Sequence, residues 1–500
     1  MDGMDSDITQ KKSLGQSDID DGDVLVLGLG AAPSRRRFTG LEITAVGYNI
    51  CSSWLGIAAS FTLAVASGGS VTLLYGIILV SFVFVCNGGT LAELASVYPT
   101  AGGQYHFASI LAPQKYSRPV SYVCGLFAVF SWIVTIAAVA VLLGQEVLAI
   151  VLNYVDSYRA QSWHLFLAYL AFSTLSALYN VLLLKRSAWI YDVGMILSLT
   201  LFAVVTVTCS ARAQQRPSTA AVWTTIVNDS GWPDGVLFLI GTLTPQFMFV
   251  GFDGALHLAE ECLNPSKVVP KAILITVGIG FVTAFSFAIG MSYSITELDV
   301  ALNSRTGSDA AATVFMGIML ICGSITLIAI QQSASRMTWA FARDKAMHMS
   351  GHISRMNAAL EVPVYALLFN YAVVILIGIL IVASSTVFNA IIGSCALLQQ
   401  LSFGIPAGLL LYKRFTSSQF LPRDRSFRMP NIIGYIANSV VIIWSFIALV
   451  FYILPPALPV TGSSMNYTVA VLAVIVIFAA VNWFTYGRKH YKGPRIELME

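Results

Sequence analysis

The chain reads as an all-α polytopic membrane protein with twelve transmembrane helices, and three observations say so. Of its 500 residues, 57% are hydrophobic and only 11% are charged, less than half the roughly 25% of an average soluble domain. Long stretches lack Asp, Glu, Lys and Arg. They are continuously apolar rather than alternating, so they read as helices and not as strands of a barrel. The basic residues, finally, gather on one side of those stretches. The same composition excludes a disordered chain, a collagenous repeat and a disulfide scaffold, and a net charge of +3 gives no reason to expect a nucleic-acid partner.

Taken in order, the charge-free stretches place the spans. Residues 43–92 hold spans 1 and 2, divided at Ser67-Gly68-Gly69-Ser70. Spans 3, 4 and 5 occupy 119–145, 160–184 and 193–211. Span 6 covers 235–257 and is interrupted only by Asp253. Spans 7 and 8 occupy 272–296 and 310–335. Residues 362–412 hold spans 9 and 10, around Ala383-Ser384-Ser385. Residues 429–487 hold spans 11 and 12, around Pro455-Pro456 and Thr461-Gly462-Ser463.

With the N-terminus cytosolic, 24 of the 28 Lys and Arg lie on inward segments, and only Arg159, Arg212, Arg216 and Arg305 lie outside. Both termini are therefore expected in the cytosol. The sequons at Asn228 and Asn466 fall in loops assigned outside, where a glycan could be attached. Residues 1–36 read as a disordered cytosolic tail without a cleavable signal, and residues 37–496 as the transmembrane domain. Seven cysteines, most of them within spans, suggest buried small apolar groups, so no disulfide, metal or cofactor is expected.

An ionisable group inside a span is costly and marks a functional site. Two acids qualify, Asp253 within span 6 and Asp192 near the start of span 5. Asp253 sits in Gly251-Phe252-Asp253-Gly254, where each glycine weakens the helix by about 1 kcal/mol relative to Ala. The plainer alternative is a satisfied Asp in a glycine-lined helix contact, and Asp192 could simply snorkel to the inner interface. Span 1 carries a matching weak point in Gly47-Tyr48-Asn49-Ile50-Cys51-Ser52-Ser53-Trp54, which could also be a small-residue packing face. Spans 1 and 6 open two five-span halves, 1–5 and 6–10. Paired interruptions at corresponding places point to a transporter's midplane site, with spans 11 and 12 peripheral.

Directly after span 2, Pro99-Thr100-Ala101-Gly102-Gly103-Gln104-Tyr105 resembles a signature of the amino acid–polyamine–organocation superfamily. Gly251-Phe252-Asp253, His257, Glu260-Glu261, Asn264-Pro265 and Val269-Pro270 are similar to the span 6 signature of its fungal amino acid/choline transporter branch. Ala334-Ser335-Arg336 and Trp339-Ala340-Phe341-Ala342-Arg343-Asp344 match that branch too, and the likeness runs in order from about residue 36 to 496. The resemblance implies a leucine-transporter-type fold with inverted five-helix repeats, a substrate held between spans 1 and 6, and proton-coupled symport.

Carried onto this chain, Gly47, Asn49, Ser52 and Ser53 form the span 1 binding segment, with Phe252, Asp253 and Gly254 as its counterpart. Backbone groups freed at the span 1 break could bind a carboxylate. Tyr48, Trp54 and Phe252 offer aromatic faces to an ammonium, worth roughly 0.5–2 kcal/mol. Asp253 is expected to meet the substrate amine or the coupling proton. Asp192, Glu42 and Arg343 are gating candidates; Glu42 lies opposite a loop holding Arg336, Arg343 and Lys345, and its alternative is a solvated interfacial acid. His257-x-x-Glu260-Glu261 has the spacing of a metal site or proton relay, but at the inner end of a span it reads as helix termination before Asn264-Pro265.

One departure from the family is the short stretch between spans 7 and 8 after Leu302-Asn303-Ser304-Arg305-Thr306-Gly307, which would alter the outer cover. The expected function is a plasma-membrane permease, not an enzyme, moving amino acids, γ-aminobutyrate, choline or polyamines. Its partners are that small molecule, protons and the bilayer. The alternatives are an exporter of a specialised nitrogenous metabolite and a transporter-like nutrient sensor.

Overall fold

In a bilayer, a backbone N–H or C=O without a partner costs several kcal/mol, so an apolar run of some 20 residues closes its bonds within a helix. The computed structural model follows that rule. It describes residues 38–155, 157–184, 189–213, 216–294, 309–383, 387–417, 421–462 and 465–494. Among these, ten helices are long and apolar enough to cross a membrane. They correspond to spans 2, 3, 4 and 5 (Gly69–Ala95, Ser117–Tyr154, Ser162–Leu182, Ile190–Arg212), and to spans 7 and 8 (Pro265–Ser292, Asp309–Arg343). Spans 9 to 12 complete them, at Val364–Ala383, Val387–Thr416, Asn431–Phe451 and from Thr468 onward. The N-terminal tail and the short stretch between spans 7 and 8 lie outside the described residues.

Segments 1 and 6 are the two that are not continuous. Segment 1 runs Gly40–Cys51, breaks at Ser52, and resumes as Ser53–Ala59 and Phe61–Ala66. Segment 6 is helical over Asp234–Gly241 and Leu243–Phe247, and resumes at Gly254–His257 with a short 3₁₀ turn, Ala259–Glu261. The break at Thr242 has a local cause, since Pro245 has no N–H to offer the Gly241 carbonyl. The longer unwinding begins at Met248, three residues before the Gly-Phe-Asp-Gly sequence that predicted it, and Gly251 within it has φ +85°.

Large apolar side chains such as Leu175, Ile196, Val207, Leu376 and Val474 point outward, the reverse of a soluble surface. The core instead holds polar ties: Asn180 donates to the Ile328 carbonyl (3.0 Å), and the Gln246 oxygen accepts from Trp444 (2.6 Å) and Tyr452 (2.8 Å). Basic side chains of spans 8, 10 and 12 gather at one end of the bundle, here called the basic face. There Glu93, fully buried at the end of span 2, accepts from Arg425 Nη2 (2.5 Å) and from Arg414 Nη2. One carboxylate so ties span 2 to span 10 and to the loop that follows it.

A helix absent from the charge-free map, Gln104–Leu111, closes the basic face between spans 2 and 3. Its first turn is set by Gly103 at φ +53°, where Leu256 and His257 would crowd any side chain. Span 3 continues past the expected residue 145 to Tyr154 because Glu146 is accommodated within the helix.

Removing one partner of a buried charge cluster is costed at roughly 3–5 kcal/mol. Glu93→Gln, which strands two arginines, is accordingly expected to lower the melting temperature of the purified protein and its amount in the membrane. A melting temperature equal to wild type would contradict that role.

Candidate functional site

The break at Ser52 frees backbone groups that the helix would otherwise bind. Ser52 adopts φ 37°, ψ 50°, a left-handed conformation that costs a non-glycine residue of order 1–3 kcal/mol. Its hydroxyl offsets this by donating to the Asn49 carbonyl (2.8 Å), which Thr326 of span 8 also reaches (2.7 Å). Ser53 donates to the Met248 carbonyl in the unwound part of segment 6 (2.8 Å). Each break is thereby held by a hydroxyl from another segment or from its own.

Against these breaks lies a cavity of about 360 Å³, within the range of small-molecule sites. Segment 1 lines it with Ser52, Leu55 and Gly56, and span 3 with Thr135, Leu142 and Glu146. Val250 of segment 6 and Met319 and Thr326 of span 8 close it. It extends along the half of spans 3 and 8 that lies away from the basic face. Glu146 is the single acid in the lining, which contains no Lys or Arg, and among the described residues it has no ion-pair partner.

Nearer the basic face lies a second cluster around Asp253. Its Oδ1 accepts from Gln399 of span 10 (3.0 Å). Its Oδ2 accepts from Gln104 and stands 3.1 Å from His257 Nε2. Below this cluster, Arg343 makes a two-point bond to Glu260 (3.1 and 3.2 Å) and stacks 4.5 Å above Trp339. Arg336 donates to Glu261 (2.8 Å). Tyr105 and His106 both reach Asp344 (2.8 and 3.1 Å). Bidentate arginine–carboxylate bonds are strong and directional, and together these ties cross-link the basic face, while the cavity is lined by the other half of spans 3 and 8.

The residues singled out from the sequence fall into distinct places. Ser52 lines the cavity. Ser53 joins the two breaks. Gly254 and Gly251 allow Ile50 and Trp132 to approach. Gly47 lies against Thr276 of span 7. Asn49 turns to span 5, donating to the Tyr191 carbonyl (2.7 Å). Tyr48 and Trp54 also face span 5, meeting at Ser198 (3.0 and 2.9 Å), while Phe252 packs edge-on to Phe84 and Phe403. These three rings are thus engaged away from the cavity lining.

Among the gating candidates, Arg343 is in the basic-face seal. Glu42 is not; its carboxylate closes a capping box on Thr39 (2.8 Å), and the arginines opposite use Glu260 and Glu261 instead. Asp192 stands half-buried at the start of span 5, within electrostatic reach of Glu42. Asn228 and Asn466 lie on loops away from the basic face, with their amide nitrogens bonded to Trp232 and Asp234 and to Tyr452 and Leu454.

Reasoning from the sequence had not reached Glu146, Gln104 or Gln399. Glu146 ends a charge-free run and so resembles a loop residue, although helical spacing from Thr135 and Leu142 puts it on one face with them. The two glutamines carry no charge and come from elements distant in sequence; only packing reveals them.

The amino acid permease family model matches residues 38–478. A choline transporter of Saccharomyces cerevisiae is 32% identical over 476 residues, covering 92% of this chain and 83% of that protein. A swainsonine transporter of Arthroderma benhamiae is 30% identical, over 92% of each chain. An amino-acid permease of Arabidopsis thaliana is 25% identical over 95% of this chain and 96% of its own.

A methyl group on Gly251 would lie 2.5 Å from Ile50 and 3.3 Å from Trp132, in a conformation costing an L-residue roughly 1–2 kcal/mol more. Gly251→Ala should therefore depress the melting temperature, whereas Gly235→Ala, in open space, should not. Equal melting temperatures would remove the argument for a required break.

Proposed function

Because the chain belongs to the amino acid permease family, we propose that its cavity carries a small organic ammonium ion into the cell, across the plasma membrane and together with a proton. The protein is a multi-pass membrane transporter of small nitrogenous compounds. The twelve-span reading counts segments 1 and 6 as discontinuous spans, the first helices of two inverted five-span halves, with spans 11 and 12 outside the repeat. The basic face is the cytosolic one, as the Lys and Arg asymmetry supports. In this reading both termini are cytosolic, and Asn228 and Asn466 lie outside as glycan acceptors.

The single observation that carries the substrate class is Glu146. A carboxylate lining an otherwise largely apolar cavity, with no basic residue beside it, is costly unless a cation comes to it. A zwitterion would bring a carboxylate for which the lining holds no cation. A cationic head with short alkyl groups fits the remaining lining, Leu55, Leu142, Val250 and Met319. The hydroxyls of Ser52, Thr135 and Thr326, whose hydrogens go to backbone carbonyls, can accept from a polar tail. The 32% identity to a choline transporter supports the same class. The swainsonine transporter relative favours a second reading, in which the cavity serves a specialised nitrogenous compound.

The inward-directed, proton-coupled cycle draws its support from the arrangement of the two ends. Within this reading the cavity occupies the outer half of spans 3 and 8, while Glu260–Arg343 and Glu261–Arg336 close the inner end. Asp253, lying between cavity and seal, is the coupling site within this reading. The substrate needs no aromatic cage, since Tyr48, Trp54 and Phe252 are occupied in packing.

Uptake of a labelled panel of choline, γ-aminobutyrate, amino acids and polyamines in transport-deficient cells tests the substrate class. Choline or another ammonium is expected to accumulate, more so at acid external pH, and a protonophore should abolish the accumulation. Removing the partner of a desolvated charge costs about 2 kcal/mol or more, so Glu146→Gln should raise the apparent KM roughly 30-fold. Unchanged uptake by that variant would overturn the ammonium assignment.

A further inference from the structure

His257, read from the sequence as part of a helix end, sits one turn from Asp253 with its ring in the site. Counting donors and acceptors fixes how many protons the pair holds. The Ala101 carbonyl can only accept, so the imidazole Nδ1 2.8 Å away carries a hydrogen. The other ring nitrogen, Nε2, stands 3.1 Å from Asp253 Oδ2, and the two side chains are 0% and 2% exposed. A bare nitrogen lone pair facing a carboxylate oxygen in so dry a place would be repulsive. A second proton therefore occupies that contact, whether on the ring or on the carboxyl.

We propose that this proton, shared by His257 and Asp253, is the coupling proton and also the bolt that holds the cytosolic face closed. The inference rests on the proton-coupled reading above and assigns it to a particular atom pair. The surroundings suit either position of the proton. Gln104 and Gln399 turn their amide N–H groups to Asp253, leaving both Oε1 atoms buried without a hydrogen-bond partner. Half a turn of either amide would offer an acceptor to a protonated Asp253.

The bolt reaches the seal through one short loop. Ala101 accepts from His257 and gives its own N–H to Glu260 (3.2 Å), the partner of Arg343. Gln104 opens the helix whose Tyr105 and His106 hold Asp344. With the shared proton lost to the cytosolic side, a neutral ring would present its lone pair to the Asp253 carboxylate. Segment 6 and the loop at residues 101–104 would then part, and the ion pairs would follow. The proton is regained from the outer side, and only N–H and O–H bonds are made or broken.

The groups facing the pair from packed elements are Cys51 of segment 1, the one titratable among them, Trp132 of span 3, Gln104 of the loop helix and Gln399 of span 10. On its own element, Glu260 and Glu261 are already matched by Arg343 and Arg336 of span 8. Asp344, held by His106, lies beyond the loop.

The test uses the full-length protein in two measurements. In proteoliposomes with labelled choline as probe, an acid exterior should drive accumulation by wild type. His257→Gln should lose that accumulation by about tenfold or more, and choline–choline exchange without a pH gradient reports whether transport itself survives. In hydrogen-exchange mass spectrometry without any substrate, exchange at residues 98–107, corrected for intrinsic rates, should rise about tenfold in wild type once raised pH removes the shared proton. It should be insensitive to pH in His257→Gln and in Asp253→Asn.

Accumulation by His257→Gln at the wild-type level, or the same pH response in all three proteins, would overturn the proposal. If His257→Gln loses exchange along with accumulation, the hydrogen-exchange comparison decides. If wild type moves no choline, the choline assignment fails while the hydrogen-exchange result still decides the fate of the shared proton.

Discussion

The backbone's need for hydrogen-bond partners in an apolar medium governs this molecule. Among the described residues ten long helices meet it mostly by bonding within themselves, and their outward surface is rich in Leu, Ile and Val. Segments 1 and 6 do not meet it, and at their breaks polar groups are released inside the bundle. Those groups are held by hydroxyls and amides on neighbouring elements: Ser52 and Thr326 on the Asn49 carbonyl, Ser53 on the Met248 carbonyl. The strain at Ser52 persists because packing over-determines it, and Ser52 lines the cavity.

The rest of the site follows from that pair of breaks. Placing them side by side brings span 3 and span 8 against the gap, so that Glu146 and Thr326 line it. The half of segment 6 beyond its break carries Asp253, His257, Glu260 and Glu261 toward the basic face within nine residues. There they meet three elements: Asp253 meets span 10, His257 the loop after span 2, and Glu260 and Glu261 two arginines of span 8. Val250 of the same segment lines the cavity, so a short stretch of chain joins cavity and seal. The proposed coupling needs no longer path than this.

Much of this was legible in the sequence, for physical reasons. Charge-free runs report the bilayer directly, which is why the ten long helices fall where the runs do. Gly, Asn and Ser within segment 1, and Gly-Phe-Asp-Gly in segment 6, disclosed both breaks, because such residues weaken a helix wherever they occur. What the sequence did not disclose is facing. Tyr48, Asn49 and Trp54 share the broken segment with Ser52, yet their side chains go to span 5, on another face of the segment from the cavity. Glu42 and Glu260 are both acids at the inner end of a segment. Only the tertiary position of Arg343 selects Glu260, while Thr39 claims Glu42 as a cap. The glutamines around Asp253 are uncharged and far apart in the chain, and no periodicity marks them.

The central claim is that the gap between the two breaks, floored by Ser52 and flanked by Glu146, is where an organic ammonium rests. An experimental density map of the purified protein with bound choline tests this most directly. The account predicts density for the cation between Glu146, Ser52, Val250 and Thr326, with the ammonium nearest the Glu146 carboxylate. Density instead against Trp54, Tyr48 or Phe252, with Glu146 left unoccupied, would contradict it.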